Sequence, residues 1–354
     1  MLKFIKVIKI IYTDNLNREF IISKKIKSKN LNFLQKCIIY VNDYPSLIKK
    51  ISKHLKGSNV DINYMNEKGW TTLMIACCNV KNKYMIDIIK LILKQNPDVN
   101  LKEYNGCTAL MLLCNYEIDI YYSCRIVKLL LENDANINLQ DIDGNSALLL
   151  SIKNYQYNKD DTLLIHYLIE NNSDIDIQNN YGCNALIMTI KNIKDNAACY
   201  EIIYLLLNRG ALVNIADNNG NTALIYATKN MNHNYEFWDK IVKLLIEYNA
   251  DCTLKNNDGW NSFMYYCCIT HPNPNESQRL KNDFLFYDTA KSILLNKDFI
   301  LRMFKLYETK MININILEII LYYNINIKYL PIEDKDFKKA LKKFTLQKKN
   351  VIFI

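Results

Sequence analysis

The sequence predicts an all-α repeat solenoid, built from helix-loop-helix units joined by β-hairpin-like turns, with degenerate capping repeats at both ends. Three observations predict it. A short motif recurs six times, as in "YNGCTALMLL" at 104–113, "NYGCNALIMT" at 180–189 and "NNGNTALIYA" at 218–227. Its glycines are Gly69, Gly106, Gly144, Gly182, Gly220 and Gly259. They lie 37, 38, 38, 38 and 39 residues apart and make up six of the eight glycines in the chain. A second apolar segment follows each of the first five motifs, for example "IIKLIL" at 88–93 and "IVKLLL" at 126–131. A fixed period of this length marks a stack of equivalent supersecondary units.

Each period reads as turn, helix, polar loop, helix and hairpin arm. The glycine falls in a tight turn such as Asp141–Ile142–Asp143–Gly144, where a left-handed backbone is costly for a residue with a Cβ. Two residues further on stand Thr71, Thr108, Ser146, Asn184, Thr222 and Asn261. All six types accept hydrogen bonds from the first open N–H groups of a helix. A short apolar helix follows, with Leu73, Leu110, Leu148, Leu186, Leu224 and Phe263 at one core position. After a polar gap, such as "KNYQYNKDD" at 153–161, comes the second helix. It ends at Asn96, Asp134, Asn172, Gly210 or Asn249, each ten residues before the next glycine and each tolerant of a positive φ. The stretch between, "ANINLQDID" for example, is predicted as an extended hairpin arm. One unit cannot bury both faces of its helices, whereas a stack can.

The ends read as worn repeats. "LIKKISKHLKGSNVDIN" at 47–63 resembles a second helix and arm with no recognisable first half, and residues 318–330 resemble 243–255. Residues 1–30 read as a hairpin about "TDNLN". The predicted division is a basic N-terminal segment with a capping repeat over 1–58, the array over 59–278, and degenerate repeats with a basic helical cap over 279–354.

Half of the 354 residues are hydrophobic, which predicts a folded chain. The net charge of +9 is unevenly spread. Residues 1–60 carry 13 Lys/Arg against 3 Asp/Glu, residues 61–278 carry 17 against 25, and residues 279–354 carry 15 against 8. An acidic array disfavours a phosphate backbone along its length and favours a neutral or basic protein partner. The basic ends leave nucleic acid or an anionic membrane as an alternative contact. Eleven cysteines without CxxC spacing, and an apolar start broken by Lys3, Lys6 and Lys9, predict a reducing intracellular compartment rather than secretion. No run of 18 apolar residues is present, so no transmembrane segment is expected.

Little in the chain points to chemistry. His54, His166, His233 and His271 show no metal or triad spacing, and His166 sits in an apolar helix as a core or boundary residue. There is no GxxxxGK[ST], GxGxxG or HExxH. Asp141 and Asp143 belong to a turn, where carboxylates bond the local backbone. Cys77, Cys114 and Cys267 fall eight residues after their glycines and read as small hydrophobes. Cys107 and Cys183 follow the glycine directly and are expected at the surface, as plain or reactive thiols. No metal, cofactor or catalytic residue is predicted.

The motifs "DxxGxTALxxA" over Asp217–Ala227 and "IVKLLLxxxAxIN" over Ile126–Asn138 resemble the ankyrin repeat family. The likeness covers residues 59–259. Ankyrin units are 33 residues long; here the added residues fall between the two helices, as in the lengthened arrays of giant and other large DNA viruses. The family's Thr-Pro-Leu-His is replaced by Thr-Ala-Leu or a relative of it, so each unit is expected to be less stable than a consensus one.

The resemblance implies a monomeric, non-catalytic scaffold in the host-cell cytoplasm. It would grip a partner protein with its hairpin tips and the concave face of its first helices. The tip residues are Met65, Glu67, Lys68 and Trp70, then Lys102, Glu103, Tyr104 and Asn105, and then Gln140, Asp141, Ile142 and Asp143. In the later repeats they are Gln178, Asn180 and Tyr181, then Asp217, Asn218 and Asn219, and finally Lys255, Asn257, Asp258 and Trp260. Trp70 and Trp260 either face a partner or fold back onto neighbouring loops. "YLPIEDKDFKKALKKF" at 329–344 resembles the F-box-like segment with which some viral ankyrin proteins recruit a ubiquitin ligase. A capping helix begun by Pro331 and Asp334 is the other reading.

Overall fold

The computed structural model describes residues 9–10, 22–23, 32–40, 46–56, 60–80, 83–115, 120–155, 161–192, 197–231 and 233–267. The repeat-like stretch at 318–330, the 329–344 segment, the cap expected over 279–354 and the side chain of Phe263 lie outside the described residues. The chain divides into two compact units, residues 1–211 and 212–354.

In the first unit, β1 (Lys9–Ile10) and β2 (Ile22–Ser23) pair antiparallel with Lys9 opposite Ser23, on either side of "TDNLN". Five helix pairs follow: α1 (Phe33–Tyr40) and α2 (Leu47–Leu55), α3 (Thr72–Cys78) and α4 (Lys83–Leu93), α5 (Ala109–Asn115) and α6 (Ile120–Leu131), α7 (Ala147–Lys153) and α8 (Asp161–Glu170), α9 (Ala185–Asn192) and α10 (Ala197–Asn208). First helices pack on first helices from α1 to α9, and second helices on second helices from α2 to α10. The second unit holds α11 (Ala223–Asn230), α12 (Tyr235–Glu247) and α13 (Ser262–Cys267), with α11 packed on both of the others.

The predicted caps form. Thr71, Thr108, Ser146, Asn184, Thr222 and Asn261 each accept from the backbone N–H three residues on, at 2.9–3.4 Å. The second helices end as expected, with positive φ at Asn96, Asp134, Asn172, Gly210 and Asn249. The core position Leu73, Leu110, Leu148, Leu186 and Leu224 is buried throughout. A buried leucine contributes about 1.5–3 kcal/mol. The first helices are buried over most of their length, so even their polar residues turn inward: Ser151 Oγ donates to Leu148 O and Thr189 Oγ1 to Ala185 O.

Two expectations are corrected. The N-terminal repeat does have a first helix, α1. Asn32 Oδ1 accepts from the Gln35 N–H at 2.8 Å, and Leu34 is buried in the shared core position. The signal is Asn32-Phe33-Leu34, 39 residues before Thr71-Thr72-Leu73 and without the glycine that marks the other units. The hairpin arms, expected to be extended, do not pair as strands among the described residues; a single bridge joins Ala216 and Thr222. The arms curl instead into local turns, because Asp61, Asp98, Asp174 and Asp251 each accept from the N–H two residues on.

Candidate protein-interaction surface at the hairpin tips

Each tip is built by one acceptor three residues before the glycine: Asn66, Glu103, Asp141, Asn179, Asp217 or Asn256. The glycine N–H bonds back to that residue's carbonyl at 2.8–3.0 Å and closes the turn. The acceptor's side chain fills the loop. Asp141 Oδ1 takes the N–H groups of Asp143 and Asn145 at 3.0 and 2.7 Å, and Asp217 Oδ1 takes those of Asn219 and Asn221 at 3.0 and 2.9 Å. Asn66, Asn179 and Asn256 do the same. Glu103, one methylene longer, reaches the Cys107 N–H at 3.3 Å and takes the Asn105 side-chain amide instead of its backbone.

Neighbouring tips are stitched together. The Ile142 N–H donates to Asn105 O at 3.0 Å and the Asn180 N–H to Asp143 O at 2.9 Å, while Asn257 donates to Asn219 O in the second unit. Side chains add to this. Lys102 Nζ donates to Gln140 O, Gln140 Nε2 to Gln178 O, Asn180 Nδ2 to Ile142 O and Asn257 Nδ2 to Asn218 O, at 2.7–3.0 Å. A parallel ladder of asparagines runs along the arms, from Asn63 Oδ1 to the Asp98 N–H, Asn100 Oδ1 to Asn136 and Asn138 Oδ1 to Asp174. The tips are thus held by their own backbone and polar groups, and a partner would meet them mainly through side chains.

The predicted tip residues separate into three groups. Glu103 and Asp217 are buried, which corrects their assignment to an exposed surface, and their carboxylates hold the turn; Trp70 is buried as well, as the fold-back reading expects. Met65, Gln140, Asp141 and Trp260 are half-buried, and the Trp260 ring folds back to 5.0 Å from Tyr265. Glu67, Lys68, Lys102, Asn105, Asp143, Gln178, Asn180, Asn218, Asn219, Lys255, Asn257 and Asp258 are exposed. With them, three large apolar side chains stand outward on consecutive tips of the first unit: Tyr104 at 71%, Ile142 at 61% and Tyr181 at 65% exposure.

Cys107 and Cys183, expected at the surface, are buried at 7% and 1% exposure. Their residue turns inward once the glycine has reversed the chain. Burial, aided by Asp141 and Glu103, pushes the Cys107 thiol up to about 12. Burial also pushes Cys77 up to about 12. Thiols held this way are protonated and unreactive near neutral pH. Among the described residues no group of three or more His, Cys, Asp or Glu is placed to hold a metal ion, and no helix is long and apolar enough to cross a membrane.

Five overlapping matches to the model for ankyrin repeats (3 copies) span residues 36–275, well over half of the chain. The chain belongs to the ankyrin repeat family. Similar curated proteins are ankyrin repeat proteins of Acanthamoeba polyphaga mimivirus, one 38% identical over 86 residues and another 38% identical over 97 residues. The matched stretches cover 24% and 27% of this chain but only 14% and 17% of those relatives. Among solved structures, the ankyrin repeat domain of Bcl-3, a member of the IkappaB family, superposes with a TM-score of 0.52 at 20% identity, over 66% of this chain and 93% of that one. An ankyrin repeat domain from Acinetobacter baumannii gives 0.49 at 24% identity, over 61% and 97%. At these identities the likeness is one of fold. Ankyrin repeats are in general protein–protein interaction modules and non-catalytic scaffolds.

Proposed function

We propose that this ankyrin array is a non-catalytic scaffold that holds a partner protein against the hairpin tips of its first unit. The observation that carries this is the row Tyr104, Ile142 and Tyr181. Large apolar side chains standing in water on three successive tips fill no core and cap no helix. Aromatic side chains give large contact area at low entropic cost, which is what interface anchors require. The stitched tip backbone keeps the three in fixed relation before any partner arrives, which lowers the ordering cost of binding. Asp143 and Glu67 beside them, and the acidic balance of residues 61–278, suit a neutral or basic partner surface. The chain would act as a monomer in the host-cell cytoplasm.

The test is capture from an amoebal lysate by the full chain and by a Tyr104→Ala, Ile142→Ala, Tyr181→Ala variant. Exposed side chains of this kind affect folding by less than about 0.5 kcal/mol each. The variant should therefore unfold at the same denaturant concentration and lose the captured protein. Equal capture by both chains would show that the tips are not the binding surface. Co-capture of a ubiquitin-ligase core, lost on truncation at residue 278, would instead make the array the substrate reader of an adaptor.

A further inference from the structure

The second unit departs from the first at one inward position. The sixth residue after the glycine is Ile75, Leu112, Leu150 and Met188 in the first unit, all buried. In the second unit it is Tyr226 and Tyr265, both half-buried. The Tyr226 hydroxyl donates to Asp217 Oδ2 at 2.6 Å, and the Tyr265 hydroxyl accepts from Asn256 Nδ2 at 3.2 Å. Lys229 Nζ, one turn along α11, lies 5.8 Å from the Tyr226 ring centroid and 4.9 Å from that of Tyr265, and the Trp260 ring lies 5.0 Å from the Tyr265 ring. Two aromatic faces thus hold a half-buried ammonium in place and replace part of its water.

Among the described residues that ammonium has no counter-ion. Asp217, the carboxylate of the cluster, is already satisfied: Oδ1 takes two backbone N–H groups and Oδ2 the Tyr226 hydroxyl. We propose that Lys229, Tyr226, Tyr265 and Trp260 form a subsite for an aspartate or glutamate side chain of a partner peptide, with an adjacent apolar residue of that peptide lying on the Trp260 and Tyr265 rings. The Tyr265 hydroxyl keeps its own proton to donate to the same carboxylate. A single ammonium suits a singly charged group. A phosphate site gains from a guanidinium fork or open helix N-terminal amides beside its ammonium, and here no arginine belongs to the cluster, while Thr222 and Asn261 occupy the Ile225 and Met264 N–H groups. The subsite rests on the reading of this chain as a protein-binding module and adds a second, oppositely charged contact to it.

The test is selection of a random phage-displayed peptide library on the full chain, on Lys229→Met and on Lys229→Arg. Peptides taken by the full chain should be enriched in Asp or Glu beside an aromatic or aliphatic residue. They should bind Lys229→Met roughly tenfold more weakly or worse, as loss of a charge-assisted hydrogen bond implies, with partial recovery in Lys229→Arg. Synthetic peptides with that acid changed to its amide should lose the same factor on the unaltered chain, a readout that does not depend on how the variants fold. Peptides without acid enrichment, or bound equally by Lys229→Met, would overturn the subsite and leave the interaction module standing. Failure of the full chain to select any peptide would count against both.

Discussion

Two glycines with the same backbone conformation should respond very differently to alanine. Gly144 has φ +77 and Gly210 has φ +83. A left-handed backbone costs a residue with a Cβ about 1–2 kcal/mol, and alanine returns about 0.4–1 kcal/mol by restricting the unfolded chain. At Gly210 nothing lies within 4 Å of an added Cβ, so Gly210→Ala should destabilise by about 0.5–1 kcal/mol. At Gly144 the new Cβ would stand 2.6 Å from Asn180 Oδ1, 2.8 Å from Asn180 N and 3.0 Å from Asn179 Cα. Two of those atoms are backbone of the next tip, which itself donates the Asn180 N–H to Asp143 O. Overpacking of this kind adds about 1–3 kcal/mol, so Gly144→Ala should lose about 2–4 kcal/mol in all. Urea unfolding of the full chain gives the comparison from midpoints at unchanged slope. Amide exchange at Asn180 gives it locally. Equal losses at the two sites would refute the argument that the motif glycines are there for the approach of the next tip as well as for their φ. Gly210→Asn should be nearly neutral, since Asn96, Asn172 and Asn249 already hold the equivalent place at φ 51, 63 and 63.

Thr108→Ala removes the cap on the Met111 N–H and should lower stability by about 1 kcal/mol, read from the urea midpoint; no change would show that the cap is idle. Asn79→Ala leaves Ile38 O and Ile39 O without their buried donor and should cost about 1–3 kcal/mol, appearing as faster amide exchange in α1 while α7 keeps its protection. Alkylation at neutral pH, followed by peptide mapping, should leave Cys107 and Cys183 unlabelled until denaturant is added. Because burial raises Cys77 and Cys107 to about 12, the folded chain keeps protons that an unfolded thiol releases from about 8.5 upward. Their contribution is therefore whole below that value and is lost as pH rises toward 12. A Cys77→Ala, Cys107→Ala variant should show a shallower fall of the unfolding midpoint between pH 9 and 11, and an unchanged slope would refute it.

The period, the caps and the ends of the second helices were legible because each is a local rule. A glycine or asparagine is needed wherever φ turns positive, and a short polar side chain wherever a helix opens. Those demands repeat with the unit, so one sequence shows them several times over. The first helix of the N-terminal repeat escaped that reading because its motif lacks the marking glycine, although Asn32 and Leu34 keep the spacing. The direction of side chains at the tips was not legible. Cys107 and Cys183 stand next to the glycine, where sequence suggests a surface, yet the turn sends both inward. Glu103 and Asp217 resemble surface acids until the turn folds the loop amides around them.

By itself the sequence determined that this is an ankyrin array and where each glycine-marked unit begins, because backbone conformation and helix capping depend on residues a few places apart. Only the tertiary structure decided which tip residues face solvent, that Tyr104, Ile142 and Tyr181 stand exposed on consecutive tips, and that Lys229 lies over two tyrosine rings with no ion pair among the described residues. Those facts depend on residues 30 to 40 positions apart meeting across the stack, and no local spacing rule encodes how two neighbouring repeats share one surface.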